Sequence, residues 1–292
     1  LADQYDARSR GMAVGVFIAS TSCGYAVSLL ISGAALPVGG YRLSFLLTGL
    51  GPLLGWAIAG WTLRATRVPA ACRRKGQRFT REVLAHRPTM LLIGGYVFHN
   101  WELLGMWSWT PAFLSACLAL AGAAHTEAAG SGASMTALFH GVGLLASFSM
   151  GALSDRVERA AVMLALAAVS MCCSFVFGWT VNWPLAWVMG IGVVYAFSSL
   201  GDSPILSAAL TETVDGAYLG AALGLRSLLG FGAAALAPMA FGLILDWTNP
   251  AAGGQRLYTH WGWAFSSLGL GGAGAVWAAG RFGRCRRPDG AG

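Results

Sequence analysis

The sequence predicts an all-α polytopic membrane protein with about eight transmembrane helices. Of its 292 residues, 56% are hydrophobic and only 11% are charged, whereas about 25% of the residues in an ordinary soluble domain carry a charge. Long apolar runs recur along the chain, and each is long enough to cross the ~30 Å hydrocarbon core as a helix. The 41 glycines include pairs four residues apart, a spacing that lets helix backbones approach closely in lipid.

The apolar runs define the predicted helices and the loops between them. Eight helices are predicted, over residues 11–32, 43–62, 89–118, 135–153, 160–179, 183–208, 217–245 and 258–279. Pro37, Gly39 and Gly40 predict a tight turn between the first two helices, because proline and glycine interrupt regular structure. The run of glycine, alanine and serine over residues 122–134 predicts an exposed turn, and Glu212 is assigned to the loop before the seventh helix.

The distribution of positive charge predicts the orientation of the chain. Residues 63–88 hold eight of the 19 basic residues, and when successive loops are placed on alternate sides of a membrane, 16 basic residues fall on one side. Cytoplasmic loops carry such an excess of lysine and arginine. Both ends of this chain are therefore predicted to be cytoplasmic, in a bacterial inner membrane. Loop charge accounts for the net charge of +7, and nucleic acid is not an expected partner.

A short charged loop joins the fourth and fifth predicted helices. It contains Gly151, Asp155, Arg156 and Arg159, with Glu158 between the two arginines. This spacing resembles the loop signature of the major facilitator superfamily, in which a Gly-x-x-x-Asp-Arg/Lys pattern is followed by a small residue and by further basic residues. Glu158 occupies the position of the small residue and so departs from the pattern.

The resemblance implies how the chain is organised. A complete member of that family has two six-helix halves joined by a long cytoplasmic loop. This chain looks like the last two helices of the first half followed by the whole second half, so that the first four helices of the bundle are expected to be missing. The expected units are residues 1–62 from the first bundle, a basic linker at 63–88, a six-helix bundle at 89–280 and a basic cytoplasmic tail at 281–292.

The resemblance also bears on activity, because it implies a secondary transporter and not an enzyme. Drug–proton antiporters of the family usually carry a glycine-rich element with a proline in the fifth helix. The matching residues here, 24–33, contain no proline. Drug antiport is therefore disfavoured, and a chain that lacks four helices is not expected to transport by itself.

Ionisable residues inside predicted helices are the first candidates for a functional site, because charge in lipid is costly. His99 and Glu102 are three residues apart and therefore share a face of the third helix. Glu102 and His140 lie at similar depths and could meet across a helix pair. Three interpretations stay open for this group: a proton relay, a structural polar contact between helices, and a metal site, for which no binding motif is present.

Asp202 and Arg226 form a second candidate pair, since they lie at similar depths in the sixth and seventh helices. Either they form a permanent ion pair that satisfies two buried charges, or Arg226 receives an anionic substrate group while Asp202 is released or protonated. By the resemblance, the third, fourth, sixth and seventh helices line a central cavity. All five ionisable residues occur on those helices, as candidates for substrate binding and proton coupling.

The charged loop has two interpretations. It is an ordinary cytoplasmic turn, or it is a latch that holds the cytoplasmic side in one conformation, as the resemblance implies. In the second case, the Asp155 carboxylate is expected to bind the N-terminus of a neighbouring helix, where the partial positive charge attracts it.

The leading functional hypothesis is a secondary active transporter that moves a small solute by alternating access, coupled to protons, with an organic anion as one candidate substrate. The alternatives are a membrane-embedded enzyme for a lipid-linked substrate, with His99, Glu102 or His140 as acid or base, and a non-transporting scaffold or receptor. The expected partners are the lipid bilayer, a small-molecule substrate and protons, with no cofactor. The six cysteines show no paired spacing, which predicts free thiols and no zinc site.

Overall fold

The computed structural model describes residues 9–64, 79–250 and 258–286, and these residues form helices and short connections without any strand. The helices are α1 (Arg10–Arg64), α2 (Arg87–Leu120), α3 (His125–Ser154), α4 (Arg159–Phe177), α5 (Leu185–Gly201), α6 (Ser203–Thr213), α7 (Gly216–Thr248) and α8 (Gly262–Arg286). A π-helical turn at Thr80–Leu84 and a 3-10 turn at Gly178–Thr180 complete the described elements.

Within the part of the chain that the structure describes, six segments are long and apolar enough to cross a membrane, judged by length and composition. They are Arg10–Thr62, Arg87–Leu120, Glu127–Ser154, Arg159–Thr180, Leu185–Thr213 and Gly216–Thr248. The first holds both of the first two predicted helices, while α8, which is rich in glycine, is a helix but is not among the six. The predicted fold class, an all-α polytopic membrane protein, is confirmed.

Helix α1 contains the predicted turn as a break in its backbone. Gly39 and Gly40 have non-helical dihedral angles, and Gly40 has a φ of 61°, a left-handed conformation that glycine adopts without steric cost. The segment before this break packs antiparallel along α3, with Gly11 beside Gly151 and Gly33 beside Gly130. The segment after it is exposed along nearly all of its length.

Two of the predicted boundaries are wrong. The exposed turn predicted at residues 122–134 is confined to residues 121–124, and α3 already begins at His125. Alanine in this stretch favours helix, and its small residues let α1 approach, since an added Cβ at Gly130 would meet Gly33 and Pro37. The predicted loop at Glu212 is likewise helical, because α6 continues to Thr213.

The sixth predicted helix is divided in two at Asp202. Helix α5 ends at Gly201 and α6 begins at Ser203, and Pro204 explains the division, because proline lacks the backbone N–H that a continuous helix requires. The new helix begins with a hydrogen bond of 2.9 Å from the Leu206 N–H to the Asp202 carbonyl. A buried carboxylate therefore lies at the junction of two helices.

Helices α2, α4, α5, α7 and α8 enclose an aromatic core. Phe113, Phe177, Phe241, Trp261 and Phe265 are nearly inaccessible, and their ring centroids lie about 4.7–6.2 Å apart in mostly edge-to-face arrangements, the geometry that aromatic quadrupoles favour. This core holds α2 in place, the helix that carries His99 and Glu102.

The predicted division into bundles, linker and tail stays a prediction. Most of the linker, residues 65–78, and the end of the tail, residues 287–292, lie outside the described residues, while residues 281–286 belong to α8. The described cysteines, Cys23, Cys117, Cys172, Cys173 and Cys285, are free thiols, and Cys72 lies outside the described part of the chain.

Candidate functional site

A cavity of about 890 Å³ lies between α1, α2, α6 and α7, within the range of natural ligand sites. One face of α2 contributes Tyr96, Asn100 and Trp107 to its wall, because steps of four and seven residues return to the same side of a helix. Arg10 and Arg226 also line the cavity. No acidic residue is found among the described residues of its wall.

A buried histidine–aspartate pair adjoins this cavity. The His99 Nδ1 atom lies 3.0 Å from the Asp202 Oδ1 atom, at ion-pair distance although not aligned as a hydrogen bond, and both side chains are buried. The His99 Nε2 atom is 2.8 Å from the hydroxyl of Ser203, and Ser203 lines the cavity. A single hydroxyl therefore links the pair to the cavity wall.

Glu102 lies in a second polar cluster inside the bundle. Its Oε1 atom accepts hydrogen bonds from the hydroxyls of Ser170, at 2.7 Å, and Ser174, at 2.5 Å. The Ser174 hydroxyl is also 2.6 Å from that of Tyr195. None of these four residues is among those that line the 890 Å³ cavity, so the described structure provides Glu102 with hydroxyl partners and no contact with that space.

His140 does not join Glu102, which corrects the contact predicted from their similar depths. Its ring stacks on Tyr25 of α1 at a centroid distance of 5.0 Å and meets Trp107 of α2 edge-on at 4.6 Å. The Nδ1 atom has no hydrogen-bond partner among the described residues. His140 therefore supports an aromatic contact between α1 and α2, and Tyr25 and Trp107 both line the cavity.

The predicted ion pair between Asp202 and Arg226 is not formed. The Arg226 guanidinium lies 3.8 Å from the centroid of the Tyr96 ring, and its Nη1 atom donates to the Ser207 hydroxyl at 3.0 Å. Asp202 is directed to His99 because it occupies the break between α5 and α6. Arg226 is therefore left beside the cavity without a carboxylate partner among the described residues.

The charged loop binds the beginning of α1, as expected for Asp155. Its two carboxylate oxygens accept hydrogen bonds from the Gly11 and Met12 backbone N–H groups, both at 2.9 Å. Arg159 contacts Asp155 at 2.8 Å and binds the Glu212 carboxylate through two nitrogens, at 2.7 and 3.0 Å. This set of residues, Gly11, Met12, Asp155, Arg159 and Glu212, is called the loop latch below.

The other members of the loop signature have different surroundings. Gly151 has no room for a side chain, because an added Cβ would lie 2.5 Å from the carbonyl oxygen of Gly11. Arg156 and Glu158 are exposed, and the Glu158 side chain forms no capping hydrogen bond at the start of α4. The departure at Glu158 therefore leaves the contact between Asp155 and α1 unobstructed.

Several residues of this site were not found from the sequence, although spacing offered a signal for some of them. Tyr96, Asn100 and Trp107 recur on one face of α2, and Ser170 and Ser174 are one turn apart. Ser203, Ser207 and Tyr195 have no such pattern. Among the described residues, no group of three or more histidine, cysteine, aspartate or glutamate side chains could hold a metal ion.

Comparison with known proteins identifies the family. The family model described as Major Facilitator Superfamily matches residues 1–222, which is well over half of the chain. No curated protein matches the chain. The match agrees with the apolar helices and with the loop between α3 and α4, whose spacing resembles the family signature. The chain therefore belongs to the Major Facilitator Superfamily and is an integral membrane protein of the secondary-transporter class.

Proposed function

We propose that this secondary transporter moves a small organic anion across the membrane together with protons, by alternating access. The observation that carries the proposal is the 890 Å³ cavity, lined by Arg10 and Arg226 and connected through Ser203 to the buried pair of His99 and Asp202. An anion site and a protonatable site are thus adjacent.

The charge of the cavity wall supports an anionic substrate. Arg226 is in contact with Tyr96 and Ser207, and neither of these neutral groups cancels its charge. The half-buried guanidinium of Arg226 attracts a carboxylate, and its planar fork allows two parallel hydrogen bonds. A cation would meet the Arg226 guanidinium without a compensating carboxylate in the described wall.

The pair of His99 and Asp202 supports proton coupling. When His99 is protonated, the two charges compensate each other at 3.0 Å. Loss of that proton leaves the Asp202 carboxylate buried without a counter-charge, which is a costly arrangement. The protein then favours a conformation in which Asp202 is hydrated or is paired with another cation. Movement of a proton would therefore change the relative stability of two conformations.

Helix α6 links these groups to the loop latch. Ser203 at its beginning contacts His99, Ser207 in its middle contacts Arg226, and Glu212 near its end binds Arg159. This helix has only 11 residues and is separated from α5 at Asp202, so that it can move as one rigid segment. Substrate binding, proton release and opening of the latch would then be connected through one element.

The organisation expected for the family forms part of the proposal. Residues 1–62 belong to the first bundle and residues 89–280 to the second, joined by the linker at 63–88, with both ends of the chain on the cytoplasmic side of a bacterial inner membrane. The close packing of α1 on α3 supports an interface between bundles at this position. Labelling of single cysteines in the linker from either side of the membrane tests the orientation.

Uptake into cells that express the complete gene tests the function. Radiolabelled organic anions are expected to accumulate when an inward proton gradient is imposed. The Asp202→Asn variant is expected to lose acceleration by the gradient while it still exchanges internal for external anion. Glu127→Gln changes an exposed carboxylate in the first turn of α3 and serves as the matched control.

Two results would count against this proposal. Gradient-driven uptake that persists in Asp202→Asn would remove the role assigned to the buried pair. Thermal stabilisation by anions, without uptake under any gradient, would instead support the receptor alternative.

A further inference from the structure

We propose that the cavity recognises an organic anion with an aromatic ring, whose carboxylate binds Arg226 and Asn100 and whose ring packs against Trp107 and Tyr25. The inference rests on the proposed function only in that it takes this cavity to be the substrate site. It adds the chemical class of the substrate and two residues, Asn100 and Trp107, that contact the substrate and distinguish this class from others.

Unpaired hydrogen-bond donors in the cavity wall indicate that the ligand carries a carboxylate. The Nδ2 of Asn100 and the Nε of Arg226 are buried atoms without an acceptor among the described residues, and both residues line the cavity. Buried polar atoms are nearly always paired, so each exception calls for an explanation. A carboxylate suits these donors, because it has four lone-pair sites and no donor.

The positions of these residues along α2 place the carboxylate. Arg226 lies over the Tyr96 ring, and Asn100 is one helical turn beyond Tyr96 on the same face. Arg226 and Asn100 therefore approach the cavity at neighbouring levels. An anion between them would satisfy the guanidinium Nε and the amide together, beside the hydroxyl of Ser207 that already accepts from Arg226.

The other part of the cavity is aromatic and apolar. Trp107 lies seven residues beyond Asn100, a rise of about 10 Å along the helix. Its ring centroid is 4.4 Å from that of Tyr25, and the His140 ring lies 5.0 Å from Tyr25 and 4.6 Å from Trp107. Because His140 contacts both rings, their positions are set before a ligand arrives, and aromatic faces of this kind favour another ring over an alkyl chain.

The charge and the dimensions together select the substrate class. One carboxylate matches the guanidinium of Arg226, and a rigid ring joined to it by a short linker matches the distance of about 10 Å between Asn100 and Trp107. 4-Phenylbutyrate has these features and is a suitable probe. 4-Phenylbutyramide lacks its charge, and octanoate lacks its ring.

Binding to the purified 292-residue chain in lipid nanodiscs, measured by isothermal titration calorimetry, tests the inference. Empty nanodiscs correct for partition of the probes into lipid. 4-Phenylbutyrate is expected to bind at least tenfold more tightly than either 4-phenylbutyramide or octanoate. Equal affinity for 4-phenylbutyrate and octanoate, or no binding of any probe, would overturn the assignment of the ring.

Single-residue variants test which side chain contacts each end of the ligand. Trp107→Leu is expected to weaken 4-phenylbutyrate binding about tenfold and to leave octanoate unchanged, with recovery in Trp107→Phe. Arg226→Gln is expected to weaken both carboxylates. Trp187→Leu, at an exposed tryptophan outside the cavity, controls for the loss of an indole, and unchanged thermal melting identifies variants that remain folded.

The outcome separates this inference from the proposed function. Proton-driven uptake of other anions without 4-phenylbutyrate binding would refute the aromatic class and leave the transport proposal intact. Selective binding of 4-phenylbutyrate that depends on Trp107, without uptake of any anion, would support the site and refute the transport proposal.

Discussion

Replacing Asp155 with asparagine should weaken the attachment of α1 to the loop between α3 and α4. The two carboxylate oxygens of Asp155 each accept a backbone N–H at the beginning of α1, from Gly11 and Met12 at 2.9 Å. Asparagine keeps one acceptor oxygen at this position, replaces the other with a donor, and removes the negative charge. The side chain keeps nearly the same size, so packing in the loop is retained.

The size of the effect follows from the lost contacts. A hydrogen bond to a charged group contributes about 1.5–3 kcal/mol, and a charge at a helix N-terminus contributes about 0.3–1 kcal/mol. The Asp155 side chain is only 6% exposed, so that solvent screens these contributions little. Loss of one bond and of the charge should shift the equilibrium toward the unlatched form by about 2–3 kcal/mol, or by about 30- to 150-fold.

Double electron–electron resonance measures this shift directly. Spin labels at Val16 on α1 and Phe148 on α3 are suitable, because both side chains are exposed and the two helices are in contact nearby, at Gly15 and Ser147. Asp155→Asn should add a longer distance to the distribution. The matched control is Glu158→Gln, which removes an exposed carboxylate from the same loop. An unchanged distribution in Asp155→Asn, or the same change in the control, would refute the latch.

Two further predictions concern stability, measured by thermal unfolding in detergent. Arg159→Lys should lower the free energy of unfolding by about 1.5–3 kcal/mol, because lysine cannot keep both hydrogen bonds to Glu212. Additive effects of Arg159→Lys and Glu212→Gln would contradict this pairing. Gly151→Ala should lower the free energy of unfolding by about 1–3 kcal/mol, since its Cβ would lie 2.5 Å from the Gly11 carbonyl oxygen. The control Gly141→Ala has open space around it and should not lower the free energy of unfolding. Equal losses in the two glycine variants would contradict the packing argument.

The loop latch illustrates what spacing can predict. A glycine, an aspartate and an arginine at fixed separations in a short loop indicate both a close helix approach and a carboxylate near a helix end, since both depend on local geometry. Local geometry does not determine which helix is the partner. Gly11 lies more than 140 residues from Asp155. The polarity of Glu212, the partner of Arg159, predicts a loop at a position where α6 continues.

The polar site shows the opposite case. Counting residues from a helix end estimates depth but not the rotation of the helix about its axis. Glu102 and His140 have similar depths, yet one faces Ser170 and Ser174 and the other faces Tyr25. The break at Asp202 adds a change of direction that depth counting cannot include, and it gives Asp202 to His99 and not to Arg226.

The sequence by itself determined the class of the protein, most of its helices and its family signature. Hydropathy suffices for this, because a backbone in lipid must satisfy its hydrogen bonds within a helix, so that a long apolar run has few other structures available. Only the tertiary structure decided which side chains meet. The rotation of each helix depends on packing between segments far apart in the chain, and that packing placed His99 with Asp202 and left Arg226 beside the cavity.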